Sequence, residues 1–232
     1  AEKVQSLPLP VIDLAGCDLI KDCAFKSGIG QASVSGFLDI TNLQIAGREV
    51  LVLGYGAIGE GVVKFARAYG ARVMVYEEIL TQAIRAQLDG HRLVTLAEAL
   101  LRAEVVFCTS STMAPFGLPE LDLLPEGAFL CSALADRSTN PFIELLNEGP
   151  GEPVRDFVSD HRLPSGKGVK LVADGMPIHI EAGRGLPFEY ADVVVAAQLH
   201  AIALLTKSEA NNGVQSLPVQ IETALATAIL DQ

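Results

Sequence analysis

The 232-residue sequence lacks several features, and each absence excludes something. It has no cluster of Lys and Arg, and its formal net charge is −11. Phosphate backbones are gripped by clustered cations, so no nucleic acid is expected as partner. It has no run of about eighteen uncharged apolar residues, so no membrane span is expected. The segment Ala1-Glu2-Lys3-Val4-Gln5-Ser6 lacks the basic region and apolar core of a secretion signal. None of its four cysteines, Cys17, Cys23, Cys108 and Cys131, forms a CxxC pair, and histidines do not fall at zinc-site spacings. Neither a disulfide framework nor a metal site is expected; reduced thiols fit a cytoplasmic protein, with Cys108 and Cys131 packed beside strands.

Hydrophobic residues make up 50% of the chain, enough for a sizeable core. Apolar runs alternate with amphipathic stretches. Glu49–Leu53, Arg72–Tyr76, Val105–Thr109 and Ala128–Cys131 read as strands, with a short strand-like piece at His91–Val94. Helices are expected at Ile58–Tyr69, Thr81–Leu88, Leu96–Leu101 and Pro141–Leu146. Continuous rather than alternating apolar runs predict parallel strands covered on both faces: a Rossmann-type, doubly wound α/β sheet. Gly149–Gly168 reads as loop with one strand near Val154–Val158. Two helices, Ser33–Asn42 and Ala191–Thr206, are expected outside this α/β unit. The second is almost uncharged, too short for a bilayer, and is read as buried or at a subunit contact. The resulting division is 1–45 as an N-terminal segment with a helix, 46–185 as the α/β domain, and 186–232 as C-terminal helices forming an oligomer contact in a dimer or tetramer.

Chemistry concentrates at Gly54-Tyr55-Gly56-Ala57-Ile58-Gly59. This GxGxxG follows a strand, opens a helix and precedes a second strand ending in Glu77. Gly54 permits the turn, Gly56 lets backbone approach a pyrophosphate, and Gly59 lets helix and sheet pack closely. Free N–H groups at the helix start, including those of Ala57 and Ile58, attract phosphate. Glu77 can accept ribose hydroxyls and would repel a 2′-phosphate, so NAD is expected over NADP. The fingerprint also occurs as a glycine turn that binds nothing. Gln82, Thr109, Ser110, Ser111 and Ser132 are further candidate cofactor contacts; the run Thr109–Thr112 serves equally well as a turn bonding its own backbone.

The residues around the fingerprint resemble the S-adenosylhomocysteine hydrolase family. The likeness runs through Pro10-Val11-Ile12, Gly28–Ala32, Thr41–Gly47, Gly70-Ala71-Arg72-Val73, Glu77, Asp89-Gly90, Asp174-Gly175 and Gly213–Pro218. Family members oxidise a ribose 3′-hydroxyl with tightly held NAD, eliminate homocysteine, add water and reduce the ketone again. Laid on this chain, the resemblance puts Ile20 where the family has lysine, Ala24 for aspartate, Phe25 and Ala15 for asparagines, Leu186 and Ala135 for histidines, and His179 for a nicotinamide-contacting asparagine. Lys21 or Lys26 would replace the lysine only after a loop shift. In the family most of a substrate domain precedes the position of Ala1 and a lysine- and tyrosine-bearing tail follows that of Gln232; this sequence includes neither. Hydrolysis of S-adenosylhomocysteine by this chain alone is therefore not expected.

His179 is the candidate acid or base beside a nicotinamide, or else a residue that only hydrogen-bonds the carboxamide or the backbone. Glu181 would orient it or be solvated. Arg137, beside Asp136, would pair with an anionic substrate or form a surface ion pair. Asp160-His161-Arg162 reads as solvated charge, His200 as a core or interface histidine, and His91 carries no signal. The chain is read as an NAD-dependent oxidoreductase acting on a small molecule other than S-adenosylhomocysteine. A catalytically silent NAD-binding regulatory or scaffolding module, or the cofactor half of a larger enzyme, is the alternative.

Overall fold

A computed structural model describes residues 8–110, 117–134, 142–207 and 211–231. The chain divides into two compact units, 29–185 and a second formed by 1–28 with 186–232. The strands in chain order are β1 (Pro10–Asp13), β2 (Glu49–Leu53), β3 (Arg72–Tyr76), β4 (Arg92–Leu93), β5 (Val105–Cys108), β6 (Phe129–Ser132), β7 (Glu152–Arg155), β8 (Val158–Arg162), β9 (Gly168–Val172) and β10 (Gly213–Ser216).

The larger unit is built on one eight-stranded sheet of order β4-β3-β2-β5-β6-β9-β8-β7. β4 through β9 pair in parallel, and β8 and β7 continue the sheet antiparallel. Side chains alternate across a strand. Val50 and Val52 of β2 therefore enter one core, with Val105, Phe107 and Phe129. Leu51 and Leu53 enter the other, with Met74, Val106, Cys108 and Leu130. Both faces are covered, which is why β2, β5 and β6 read as unbroken apolar runs. β2 feeds β3 on one side and the chain returns to β5 on the other, so the order reverses beside β2. Ligands of such sheets bind outside the strand ends at this switch point.

The sequence pattern starts this unit at 46, but the helix Gly30–Thr41 packs into it as well. Phe37 is fully buried and meets Phe107 and Phe129 edge-on at 5.9 and 5.5 Å. The helix Ala57–Ala68 runs beside it, and a Cβ on Gly30 would stand 2.6 Å from the Gly61 Cα. Below the sheet, Glu49 pairs with Arg72 and Arg102, and Glu104 pairs with Arg48.

Between Gly149 and Gly168 the structure corrects the expected loop. Here β7 and β8 form a hairpin, and the middle of the expected strand is its turn, Asp156-Phe157. Phe157 holds φ at +61°, a turn conformation that its side chain does not advertise. β7 is an edge strand, exposed throughout and carrying Pro153, so it lacks the apolar alternation by which strands are recognised.

In the smaller unit β1 pairs in parallel with β10. Asp18–Ile20 is α-helical and Lys21–Ile29 continues as π-helix. Cys17, Ile20 and Ala24 pack with Val193, Ala197, Ala201, Leu217 and Leu225 in an apolar cluster. The Glu222 carboxylate accepts the Leu19 N–H at 2.7 Å. The helix expected from 191 begins three residues earlier, after Pro187, and spans Phe188–Thr206. At 19 residues and mean hydropathy 1.4 it is long and apolar enough to cross a membrane, which corrects the length argument made from sequence. Core helices of soluble folds share that composition but are mostly buried, whereas this helix is mostly exposed on the single chain. Val193, Ala197 and Ala201 are buried, whereas His200 is exposed on the single chain, which excludes the core and leaves the interface reading untested.

Candidate cofactor site

The glycine loop leaves β2 at its carboxyl end. Gly54 adopts φ +100°, and a Cβ there would lie 2.5 Å from the Ser110 Cβ. A Cβ on Gly59 would lie 2.1 Å from the Gly54 carbonyl oxygen and 2.8 Å from Thr109 Oγ1. Gly56 differs: its Cβ would meet only Gln82 Oε1, at 3.8 Å, so the space in front of this backbone is open. Gly56 is also the N-cap of Ala57–Ala68 and offers no side-chain cap. The helix's first intrahelical bond is Glu60 N–H to the Gly56 carbonyl. The preceding N–H groups of Ala57, Ile58 and Gly59 have no helical acceptor, the arrangement that holds a phosphate. A cradle that a Cβ would fill, beside uncapped amides, fits a dinucleotide.

Glu77 follows β3 and is drawn to the loop. Its Oε2 accepts the Tyr55 N–H at 2.5 Å and its Oε1 accepts the Ile79 N–H at 2.7 Å. Each carboxylate oxygen keeps a lone pair for a ribose hydroxyl. Thr109 braces the loop from the next strand, donating toward the Leu53 and Gly54 carbonyls at 2.9 and 3.1 Å. Its hydroxyl proton is thus used within the loop. Ser110 packs on Gly54, and Gln82 reaches toward Gly56. Ser132 is buried at the end of β6, its Oγ accepting the Leu134 N–H at 3.1 Å. Ser111, Thr112, Ala135, Asp136 and Arg137 lie outside the described residues.

His179 sits in the turn Ile178–Glu181. Pro177 bridges to Ser132, which hangs this turn at the carboxyl end of β6. The imidazole is 5% exposed, and its buried Nδ1 has no hydrogen-bond partner among the described residues. Burial pushes its pKa down to about 4, so the ring is neutral at neutral pH. Glu181 is exposed. Just upstream, Ala173 and Asp174 hold φ at +53° and +49°, left-handed backbone that side chains disfavour.

Other sequence readings shift. His161, expected in solvated loop, is buried in β8 with its Nε2 3.0 Å from Ser159 Oγ, and Asp160 pairs with Lys170 and Arg162. His91, expected to carry no signal, stacks edge-on against Tyr55 at 5.3 Å. Ile20 and Ala24 are buried, with Phe25 and Leu186 packed against the same cluster. Leu186 fills the space beside Gly28, where a Cβ would stand 2.7 Å from Leu186 Cδ2. Among the described residues no group of three His, Cys, Asp or Glu side chains is placed to hold a metal ion.

Residues 27–185 match the family model described as S-adenosyl-L-homocysteine hydrolase, NAD binding domain. The adenosylhomocysteinase of Nostoc sp. is 29% identical over 95% of this chain and 52% of its own length. The adenosylhomocysteinase of Saccharolobus solfataricus is 30% identical over 96% of this chain and 54% of its own. The S-inosyl-L-homocysteine hydrolase of Methanopyrus kandleri is 28% identical over 99% and 55%. The chain thus spans about half the length of these curated relatives.

Proposed function

The chain belongs to the S-adenosyl-L-homocysteine hydrolase family, and from that premise we propose that it is an NAD-dependent oxidoreductase acting on a small molecule other than S-adenosylhomocysteine. NAD is the family's cofactor, and bound NAD supplies a reversible hydride acceptor. Of this chain's residues, Gly56, Ala57, Ile58 and Gly59 take the pyrophosphate and Glu77 takes the adenosine ribose, with Gln82, Ser110 and Ser132 along the crevice. Thr109 acts on the loop rather than on the ligand.

The observation that carries the reading is the buried Nδ1 of His179, which has no partner among the described residues. A polar atom buried without a partner costs about 1–3 kcal/mol, a cost that a ligand hydrogen bond removes. His179 stands in the turn tied to β6, on the side of the sheet where ligands bind. With a neutral ring it holds a carboxamide or substrate hydroxyl, and it accepts a proton rather than supplying one. The apolar residues at the family's polar positions argue against a ribose substrate. The test is absorbance near 340 nm with NAD and a panel of small alcohols and hydroxy acids. Turnover that falls on His179→Ala supports the reading; no spectral change with any substrate overturns it.

A second reading is favoured by the burial of Ile20 and Ala24 in an apolar cluster. On it the chain is a catalytically silent NAD-binding module, or the cofactor half of a larger hydrolase-like enzyme. Retention of NAD through purification, with no redox change and no effect of His179→Ala, is its signature. We also place the chain in the cytoplasm, in keeping with four free cysteines, and as a homo-oligomer joined through Phe188–Thr206.

A further inference from the structure

Tyr55 stands between Gly54, which adopts φ +100°, and Gly56, whose Cβ position is open. Its side chain turns away from the open space at Gly56 and is 1% exposed. The phenol donates to Asp89 Oδ2 at 2.8 Å. Asp89 is the C-cap of Leu80–Leu88. A carboxylate at a helix C-terminus opposes the helix dipole, so this position is unfavourable unless the anion meets a donor. A neutral acceptor would satisfy a buried phenol without that opposition. His91 closes the other side of the ring, and its Nδ1 lies 2.7 Å from Arg67 Nη1. The same Tyr55 gives its backbone N–H to Glu77.

We infer that the Tyr55–Asp89 hydrogen bond is a positioning device for the adenosine end of the cofactor, acting by holding the Tyr55 N–H on Glu77. The inference rests on the NAD reading. Glycines give a loop conformational freedom, and that freedom must be lost when ligand binds. A side chain anchored between two glycines removes part of this loss in advance, which is preorganisation. Tyr55 touches no ligand in this scheme. It fixes the loop whose amide orients the carboxylate that does.

The experiment measures ADP-ribose and nicotinamide mononucleotide affinities by calorimetry on the full chain. Tyr55→Phe keeps the ring and removes only the hydroxyl. It should weaken ADP-ribose about tenfold, or about 1.4 kcal/mol, and leave nicotinamide mononucleotide within about twofold. In a Glu77→Ala background the same substitution should cost less than about threefold, because the residue through which it acts is gone. Equal losses in both backgrounds mean a merely structural tyrosine and overturn the inference, as does unchanged ADP-ribose affinity in Tyr55→Phe. If Tyr55→Phe does not fold, Asp89→Ala removes the acceptor of the same bond and is read by the same two comparisons. Failure of the unaltered chain to bind ADP-ribose would instead sink the NAD reading itself.

Discussion

Gly59 sits so close under Gly54 that a Cβ on it would stand 2.1 Å from the Gly54 carbonyl oxygen, while a Cβ on Gly56 would touch nothing nearer than 3.8 Å. Two glycines of one motif therefore serve different ends. Gly59→Ala forces helix and strand apart and should cost about 3 kcal/mol or more in urea unfolding. Gly56→Ala should leave the unfolding midpoint nearly unchanged, because its φ of −75° suits any residue. It should weaken NAD by about tenfold or more, near 1.4 kcal/mol. Matching effects of the two substitutions on stability would refute this division.

His179 gives the chain a pH dependence of defined sign. Its folded pKa, about 4, lies below its ordinary value of 6.5, so the unfolded state binds more protons between these limits. Stability should be complete above pH 6.5 and fall as pH drops toward 4, by at most about 3 kcal/mol for this group. Burial lowers the His161 pKa as well and contributes in the same direction. His179→Asn should flatten its part of the slope in denaturant titrations from pH 7 to pH 4. An unchanged slope would show that His179 is not buried neutral.

The sheet was legible because its strands are buried on both faces. Val50 to Leu53 and Val105 to Cys108 have no polar residue to interrupt them, and the loop between β2 and the following helix carries glycines at fixed spacing. The Tyr55–Asp89 contact joins residues 34 apart, and nothing local in either marks the pairing. Asp160-His161-Arg162 looked like loop because two of its three residues are charged, yet β8 lies inside the sheet and turns His161 inward. Ile20 and Ala24 could be identified as departures from the family pattern, but only their packing shows that the departure fills space.

Glu77 should decide between NAD and NADP. Its carboxylate is held by two backbone amides, and a 2′-phosphate would bring negative charge against it. Glu77→Gln keeps an acceptor and removes the charge. The ratio of NADP to NAD dissociation constants should narrow by about tenfold or more, a change near 1.4 kcal/mol. Because charge repulsion is screened by salt, the wild-type ratio should also shrink as ionic strength rises. A ratio indifferent to the substitution would locate the discrimination elsewhere.

The helix Phe188–Thr206 makes the last prediction. Val195, Leu199 and Ile202 are 51%, 62% and 55% exposed and fall on one helical face, opposite Val193, Ala197 and Ala201. A face of this kind left in water is unfavourable at about 25 cal/mol per Å² of apolar surface. Burial against a second copy would remove that cost, and stable interfaces bury about 1,200–2,000 Å² in total. Light scattering at micromolar concentration should therefore give a mass above the 24.5 kDa of one chain. Leu199→Glu, which places a charge on the face without touching the buried side, should return the mass to that of the monomer while NAD affinity is kept. A monomeric unaltered protein would rule out this contact between copies.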